Sequence, residues 1–283
     1  MNWQQLKNTM LFVTLLMGST TTLLGQKLYP GDVNNNGIVN GVDFLYLANA
    51  YDQTGTAREV VSTVYRGTEA KYWNTTFPNG IDHCYADCNG DGKVNYDDIA
   101  DGIVANFGKI HGSVVPDSYS QAAGNATAAL VFKARRNNKG TMSIDIELDG
   151  PKEGIADFYG ITFDVHFAPN TIPNGLWNRG GTPIDFLLPT EAWFAENPSS
   201  KRHFSITKKT RQNEVVTSVG ISRIDGQVAN GQGTIGQVKT VIIIADVDLF
   251  RTGQQQQPFK VKNVLAVKND LSIIPLDVKV IFE

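Results

Sequence analysis

The chain contains little cysteine and little net charge. Only two of its 283 residues are cysteines, so a fold held together by a framework of disulfides is excluded. Basic and acidic side chains number 25 and 28, and the formal net charge of -3 offers no basic surface for nucleic acid. Beyond the first 25 residues, no apolar run reaches the roughly 18 residues that a membrane-spanning helix needs. Hydrophobic residues nevertheless make up 41% of the chain, which is enough to build a core.

The first 25 residues have the pattern of an export signal. Lys7 precedes the short apolar run MLFVTLLM (10–17), and Leu23-Leu24-Gly25 ends the segment before Gln26. The run is too short for a membrane helix, and a buried N-terminal helix is the alternative. We therefore expect a mature chain that begins near Gln26 and is secreted, either to the medium or to the cell surface.

The remainder divides into three regions. Residues 26–112, here called the loop module, contain Asp/Asn/Gly-rich loops followed by short helical patterns. Residues 113–127 are small and polar and predict a linker. Residues 128–283, here called the sandwich, carry repeated β-branched or alternating runs bounded by turn residues. Seven strands are predicted, at 128–135, 141–148, 158–167, 215–224, 234–250, 258–267 and 272–282.

The loop module contains an internal repeat. DVNNNGIVNGVD (32–43) matches DCNGDGKVNYDD (87–98) at an offset of 55 residues. Both are 12-residue loops with oxygen-bearing side chains at positions 1, 3, 5, 9 and 12 and glycine at position 6. Calcium takes six to eight oxygen ligands, and a loop that winds around the ion supplies alternate side chains and one carbonyl. Two calcium ions are therefore predicted.

The predicted ligands follow from these positions, with the backbone carbonyl supplied by position 7. They are Asp32, Asn34, Asn36, Ile38, Asn40 and Asp43 in the first loop, and Asp87, Asn89, Asp91, Lys93, Asn95 and Asp98 in the second. An Asx-rich turn without metal is the alternative. Because the first loop has two carboxylates at ligand positions and the second has three (Asp87, Asp91 and Asp98), we expect the second site to bind calcium more tightly.

A helix is predicted after each loop. Phe44, Leu47, Ala48 and Tyr51 share one face of the first helix, and Ile99, Ile103 and Phe107 line one face of the second. No helix is predicted before the first loop, because Pro30-Gly31 precedes it directly.

The two halves, PGDVNNNGIVNGVDFLYLANAY (30–51) and ADCNGDGKVNYDDIADGIVANFG (86–108), resemble a type I dockerin module. The resemblance implies calcium-dependent folding and docking to a cohesin-type partner, usually in extracellular polysaccharide-degrading assemblies. It places partner contacts at loop positions 10 and 11, which are Gly41-Val42 and Tyr96-Asp97 here. An insert at 53–84 separates the halves. Its aromatic residues would either cover the module's small core or stack on sugar.

Cys84 and Cys88 lie four residues apart, and a local disulfide is the favoured interpretation in an oxidising compartment. Two free thiols and a zinc site with His83 are the alternatives, although this set is short of zinc ligands.

The sandwich resembles a cohesin or a carbohydrate-binding module more loosely, in segments 154–172, 231–244 and 261–282. The predicted fold class is therefore mainly β, with a small α calcium-loop domain followed by an antiparallel jelly-roll β-sandwich. Since no nucleophile motif accompanies the four scattered histidines, we expect a non-catalytic scaffold or adaptor; a small glycoside hydrolase is the remote alternative. With both modules in one chain, copies could also join head to tail. The other alternative is a carbohydrate-binding accessory protein that uses Trp177, Phe186, Trp193 or Phe194 for stacking on polysaccharide.

Overall fold

The protein is described from a computed structural model, which covers residues 27–69, 71–119, 126, 128–137, 140–150, 155–169, 171–172, 184–190, 192–195, 197–241 and 257–283. The predicted export signal, most of segment 120–127, Trp177 and the end of the predicted strand 234–250 lie outside these residues. The fold class is confirmed: a small helical module is followed by a β-sandwich. Within the described part, none of the helices has the length and apolar character needed to cross a bilayer.

The described part of the loop module contains one short helix after each of the two loops and one pair of short β-strands. β1 (Lys27–Leu28) pairs with β2 (Thr68–Glu69), and α1 spans Gly41–Asn49. Asn40 caps α1 by accepting from the Val42 N–H, while the Asp43 side chain accepts from the Asn40 N–H. A 3₁₀ turn covers His83–Tyr85.

The helix after the second loop departs from the predicted α-helix, because its segment Asp98–Val104 is π-helical. Gly102 lies in this segment at a close approach to Cys88, where an added Cβ would stand 2.3 Å from the Cys88 Cβ. The predicted inward face is nevertheless present, since Ile99 and Ile103 are buried.

The sandwich consists of two sheets with the orders β13-β3-β4-β10-β6 and β12-β11-β5-β8-β7, and β9 pairs with β5 outside this path. The strands are β3 (Ala128–Asn137), β4 (Thr141–Asp149), β5 (Ile155–Phe167), β6 (Ile184–Leu187), β7 (Lys201–Lys209), β8 (Val215–Arg223), β9 (Ala229–Gly231), β10 (Gly233–Val241), β11 (Phe259–Lys268), β12 (Ile273–Ile274) and β13 (Leu276–Phe282).

The sheets differ from the prediction in two respects. β13 pairs parallel to β3, with Leu276 opposite Ala128, because the chain leaves the six-stranded sheet after β12 and enters the five-stranded one. β6, β7 and β9 lie in regions where no strand was predicted. β7 lacks the hydrophobic pattern that predicts a strand, because Lys201–Lys209 carries five basic side chains, one of them His203.

The outer face of the six-stranded sheet is covered by the loop module. On β5, Ile161 and Phe163 pack into the core between the sheets, whereas Thr162 on the opposite face meets the start of α1. On β11, Leu265 and Val267 belong to the hydrophobic cluster of the loop module. β5 and β8 are therefore buried on both faces.

Small side chains on β5 and β8 allow this close approach. Gly160 is directly opposite Ser222, and Thr162 is directly opposite Gly220. An added Cβ would lie 2.8 Å from a Leu45 methyl at Gly160, and 2.8 Å from the Phe44 ring at Gly220. Side chains larger than these would hold α1 away from the sheet.

Polar contacts join the same two surfaces. The buried Tyr159 hydroxyl donates to the Ala48 carbonyl at 3.1 Å, close to the end of α1. Asn49 donates from its amide to the Asn269 carbonyl at 2.6 Å. Arg202 donates to the Tyr51 hydroxyl at 3.2 Å and lies over the same ring. The module and the sandwich thus share an interface with an apolar centre and hydrogen bonds around it.

Candidate calcium sites

The first loop closes around the carboxylate of Asp32. The Asn36 N–H donates to its Oδ1 and the Gly37 N–H to its Oδ2, both at 3.0 Å. Asp43 closes the loop from the other end, since its Oδ1 accepts from the Val33 N–H at 2.8 Å. Gly37 has φ +94°, a left-handed conformation that glycine adopts without strain, which explains glycine at position 6.

The second loop has the same arrangement. The Gly92 N–H donates to Asp87 Oδ2 at 3.0 Å, and Gly92 has φ +87°. Asp98 accepts from the Asn89 N–H at 3.1 Å and from the Asn95 N–H at 2.8 Å. The sequence repeat is therefore a repeat in hydrogen bonding, and both loops are already wound in the form expected for ion binding.

The carboxylates that open and close each loop are buried. Asp43 and Asp98 are fully inaccessible, and Asp32 and Asp87 are 1% and 2% exposed. Burial raises the pKa of Asp98 to about 7. It raises the pKa of Asp43 well above its ordinary value, and the neighbouring Asp32 carboxylate adds to the effect. Buried carboxylates of this kind are stabilised in their ionised form by a bound cation.

The donor set fits calcium. Among the described residues, no group of three His, Cys, Asp or Glu side chains is arranged to hold a metal, so a calcium ion in either loop would also need amide and backbone oxygens. Carboxylate, amide and carbonyl oxygens are the hard ligands that calcium prefers. Ile38 and Lys93, the predicted carbonyl donors, both stand at position 7 of their loops.

Each loop is also bordered by the segment that follows the helix of the other half. We call residues 52–62 exit segment 1 and residues 106–117 exit segment 2. Exit segment 1 runs along the second loop, where Thr54 pairs with Lys93. Exit segment 2 runs along the first loop, where Ile38 pairs with Ile110. Each half of the module thus supplies a segment that borders the loop of the other half, and this explains why Val39 and Val94 are buried in one cluster.

The predicted partner positions fall into two different environments. Gly41 and Val42 are buried, and an added Cβ on Gly41 would lie 1.9 Å from Thr162 Oγ1 of the sandwich. In contrast, Tyr96 is 57% exposed and Asp97 is also exposed. The first pair is therefore occupied within the chain, and the second pair faces outward.

The favoured disulfide is absent, and this prediction is corrected. Cys84 and Cys88 are both free and buried. Cys84 packs with Leu28 and Tyr85, whereas Cys88 lies in the main cluster of the module against Gly102. The two thiols serve separate apolar clusters, and burial raises the pKa of each.

The candidate sugar-stacking aromatics in the described residues are mostly packed inside. Phe194 is fully buried, Phe186 is 8% exposed, and Trp193 packs against the core of the sandwich. In the insert, Phe77 is 1% exposed and belongs to the cluster of the loop module, whereas Tyr72 is 48% exposed. Apart from Tyr72, these rings cover cores.

The surface that receives α1 was missed by sequence reasoning. Its signal is the recurrence of small residues at every second position of β8, Ser218, Gly220 and Ser222, opposite Gly160 and Thr162 of β5. Small residues on the outward face of neighbouring strands allow another element to approach closely.

Residues 30–101 match the family model described as the dockerin type I domain. No curated protein matches the chain. Similar solved structures include a type II cohesin, A11, from Bacteroides cellulosolvens, with 8% identity and a TM-score of 0.37 over 55% of this chain and 99% of that one. Another is the second type II cohesin of the adaptor scaffoldin ScaA from Acetivibrio cellulolyticus, with 10% identity and a TM-score of 0.35 over 56% and 95%.

Likenesses at this level of identity and TM-score do not transfer a function. The family match is different in kind, because it covers both loops and the helix between them. The resemblance drawn from the two loops is thereby confirmed: residues 30–101 of this chain are similar to the dockerin type I domain.

Proposed function

We propose that this chain is a secreted, non-catalytic adaptor whose loop module binds two calcium ions and docks onto a cohesin-type partner. The observation that carries the proposal is the pair of matched 12-residue loops, each wound around two buried carboxylates. The family match over residues 30–101 supports the same conclusion. The apolar segment near the N-terminus supports export.

Because the loop module packs on the chain's own sandwich, its two halves are not equally available to a partner. Gly41 and Val42 lie beneath the module, against the chain's own sandwich. Tyr96 and Asp97 occupy the equivalent positions of the second half and are exposed. The second half therefore binds the partner, while the first half holds the module on the sandwich.

The first test is the mass of the chain from Gln26 onward, measured by light scattering in calcium and in EGTA. We expect a monomer in calcium, because the face needed for head-to-tail assembly is covered within each chain. Calcium-dependent multimers would contradict internal docking and favour assembly between copies.

The second test is retention of the chain on immobilised cohesin-type domains in calcium and in EGTA. Retention in calcium that is lost in Tyr96→Ala supports the proposal. Val60→Ala, which changes another exposed residue of the module, is the matched control. Retention that is equal in Tyr96→Ala and in the control would exclude the second half as the contact. Absence of retention on every domain would exclude the cohesin-type partner.

A further inference from the structure

Asp117 stands over the first calcium loop although it lies outside the loop. Its Oδ1 accepts from the side-chain amides of Asn34 and Asn36, each at 2.9 Å. Its Oδ2 accepts from the side-chain amide of Asn40 at 2.6 Å. These three asparagines occupy positions 3, 5 and 9, which are ligand positions. The Asp117 carboxylate therefore lies where three predicted ligand side chains of the loop converge.

Exit segment 2 holds Asp117 in this place. The His111 N–H donates to the Gly37 carbonyl at 2.9 Å, and the Val115 N–H donates to the Asn36 carbonyl at 2.8 Å. Asp117 follows two residues later and is partly buried. Its position thus depends on backbone hydrogen bonds to the loop itself and not on a flexible side chain reaching across solvent.

The Asp117 carboxylate supplies a negative charge that the first loop lacks relative to the second. Asp32 and Asp43 are the first loop's only carboxylates, whereas the second loop has three at ligand positions. The remaining donors, amide oxygens, carry two lone pairs each, so an oxygen that accepts a backbone N–H can also face an ion. Asp117 would add a third carboxylate beside the first loop, which matches the number at the ligand positions of the second.

The segment that borders the second loop carries a positive charge instead. Exit segment 1 runs along that loop, and the Arg58 N–H donates to the Gly90 carbonyl at 2.9 Å. The Arg58 guanidinium donates to the Cys88 carbonyl at 2.7 Å and lies close over Gly90. A fixed positive charge beside a calcium site opposes the ion. Asp117 thus adds a negative charge beside the first loop, where the His111 ring also lies 2.5 Å from Asp32 Oδ2, and Arg58 adds a positive charge beside the second.

We propose that Asp117 is a calcium ligand of the first site, contributed from outside the loop, and that the first site consequently binds calcium at least as tightly as the second. The loop residues alone predicted tighter calcium binding by the second site, and the inference contradicts that ranking of affinities. The inference rests on the proposed calcium binding by both loops. It also assigns a role to the segment between the module and the sandwich, because an ion in the first site would fasten that segment to the loop.

The test is a calcium titration of the full mature chain followed by site-resolved NMR. The amides of Gly37 and Gly92 donate to the position-1 aspartates of the first and second loops, so their resonances report the two sites separately. In Asp117→Asn, the Gly37 midpoint should move to calcium concentrations on the order of tenfold higher. The Gly92 midpoint should stay within about twofold, because the second loop keeps all its carboxylates.

The matched control is Asp101→Asn, which removes an exposed carboxylate from the same module. It should leave both midpoints unchanged. An unchanged Gly37 midpoint in Asp117→Asn would overturn the inference, and so would a shift to lower calcium, which would mean that Asp117 competes with the ion. In either case the wild-type response would still support calcium binding. If neither glycine of the wild type responds to calcium, the proposed function itself fails.

Discussion

Phe204 of the sandwich packs directly against the loop module. It lies on β7, is 4% exposed, and belongs to the hydrophobic cluster of the module rather than to the core between the sheets. Its ring centroid is 5.0 Å from that of Phe44 on α1, edge to face, and 5.6 Å from that of Phe107. Phe204→Ala should therefore release the module from the sheet.

The expected cost is about 4 kcal/mol of unfolding free energy, within the range of about 3–5 kcal/mol for buried Phe→Ala. The expected loss of unfolding free energy lies above the lower limit of this range because the cavity left by the Phe204 ring would stay unfilled. Gly220 lies under the ring, where an added Cβ would be 2.3 Å from it, and glycine has no side chain to move into the cavity. The two aromatic contacts contribute about 0.5–1.5 kcal/mol each beyond the area that is buried.

The assay is urea unfolding in saturating calcium, combined with hydrogen exchange of the peptide that contains α1. The wild type should unfold in one transition, because the module and the sandwich share a packed interface. Phe204→Ala should lower the midpoint and increase exchange in α1 well below the global transition.

The control is Phe132→Ala, which makes the same change in the core between the sheets. It should lower global stability without opening α1 locally. The reasoning would be refuted if Phe204→Ala cost less than about 1 kcal/mol, since a buried ring at a packed interface costs more. It would also be refuted if α1 kept its protection in this variant.

Three further outcomes follow from the same contacts. Tyr159→Phe, which leaves the Ala48 carbonyl without its donor, should cost about 1–3 kcal/mol by urea unfolding, whereas Tyr96→Phe at an exposed position should cost almost nothing. Chelation with EGTA should lower the melting temperature, because calcium at a thousand times its Kd stabilises the fold by about 4 kcal/mol per site, and an unchanged melting curve would argue against both sites. Cys84 and Cys88 should resist iodoacetamide in the native chain and react after unfolding, as followed by mass spectrometry; rapid native labelling would contradict their burial.

The winding of the two 12-residue loops could be predicted because their geometry is local. Twelve consecutive residues determine which oxygens face the centre, and glycine at position 6 permits the turn. The helical faces were predictable for the same reason, since Phe44 and Leu47 on one side of α1 follow from the period of the helix. Even so, the loop residues alone did not indicate that the helix after the second loop has a π-helical segment.

The strands of the sandwich were predictable where one face is apolar. β4 alternates between buried and partly exposed residues, and its pattern could be read directly. β7 could not, because its buried residues include Lys201, whose amine donates to carbonyls at Thr190 and Ala195. From the sequence alone, a buried lysine whose amine is hydrogen-bonded cannot be distinguished from an exposed surface lysine.

The sequence by itself determined the two 12-residue loops, their following helices and the β character of the second domain, since each depends on residues close together in the chain. Only the tertiary structure decided that α1 lies on the small side chains of β5 and β8, that the two cysteines pack into separate clusters, and that Asp117 reaches the first loop. The physical reason is that these contacts join segments tens to more than a hundred residues apart. No local period specifies which surfaces meet, and their pairing depends on shape and charge that appear only after the sheets have formed.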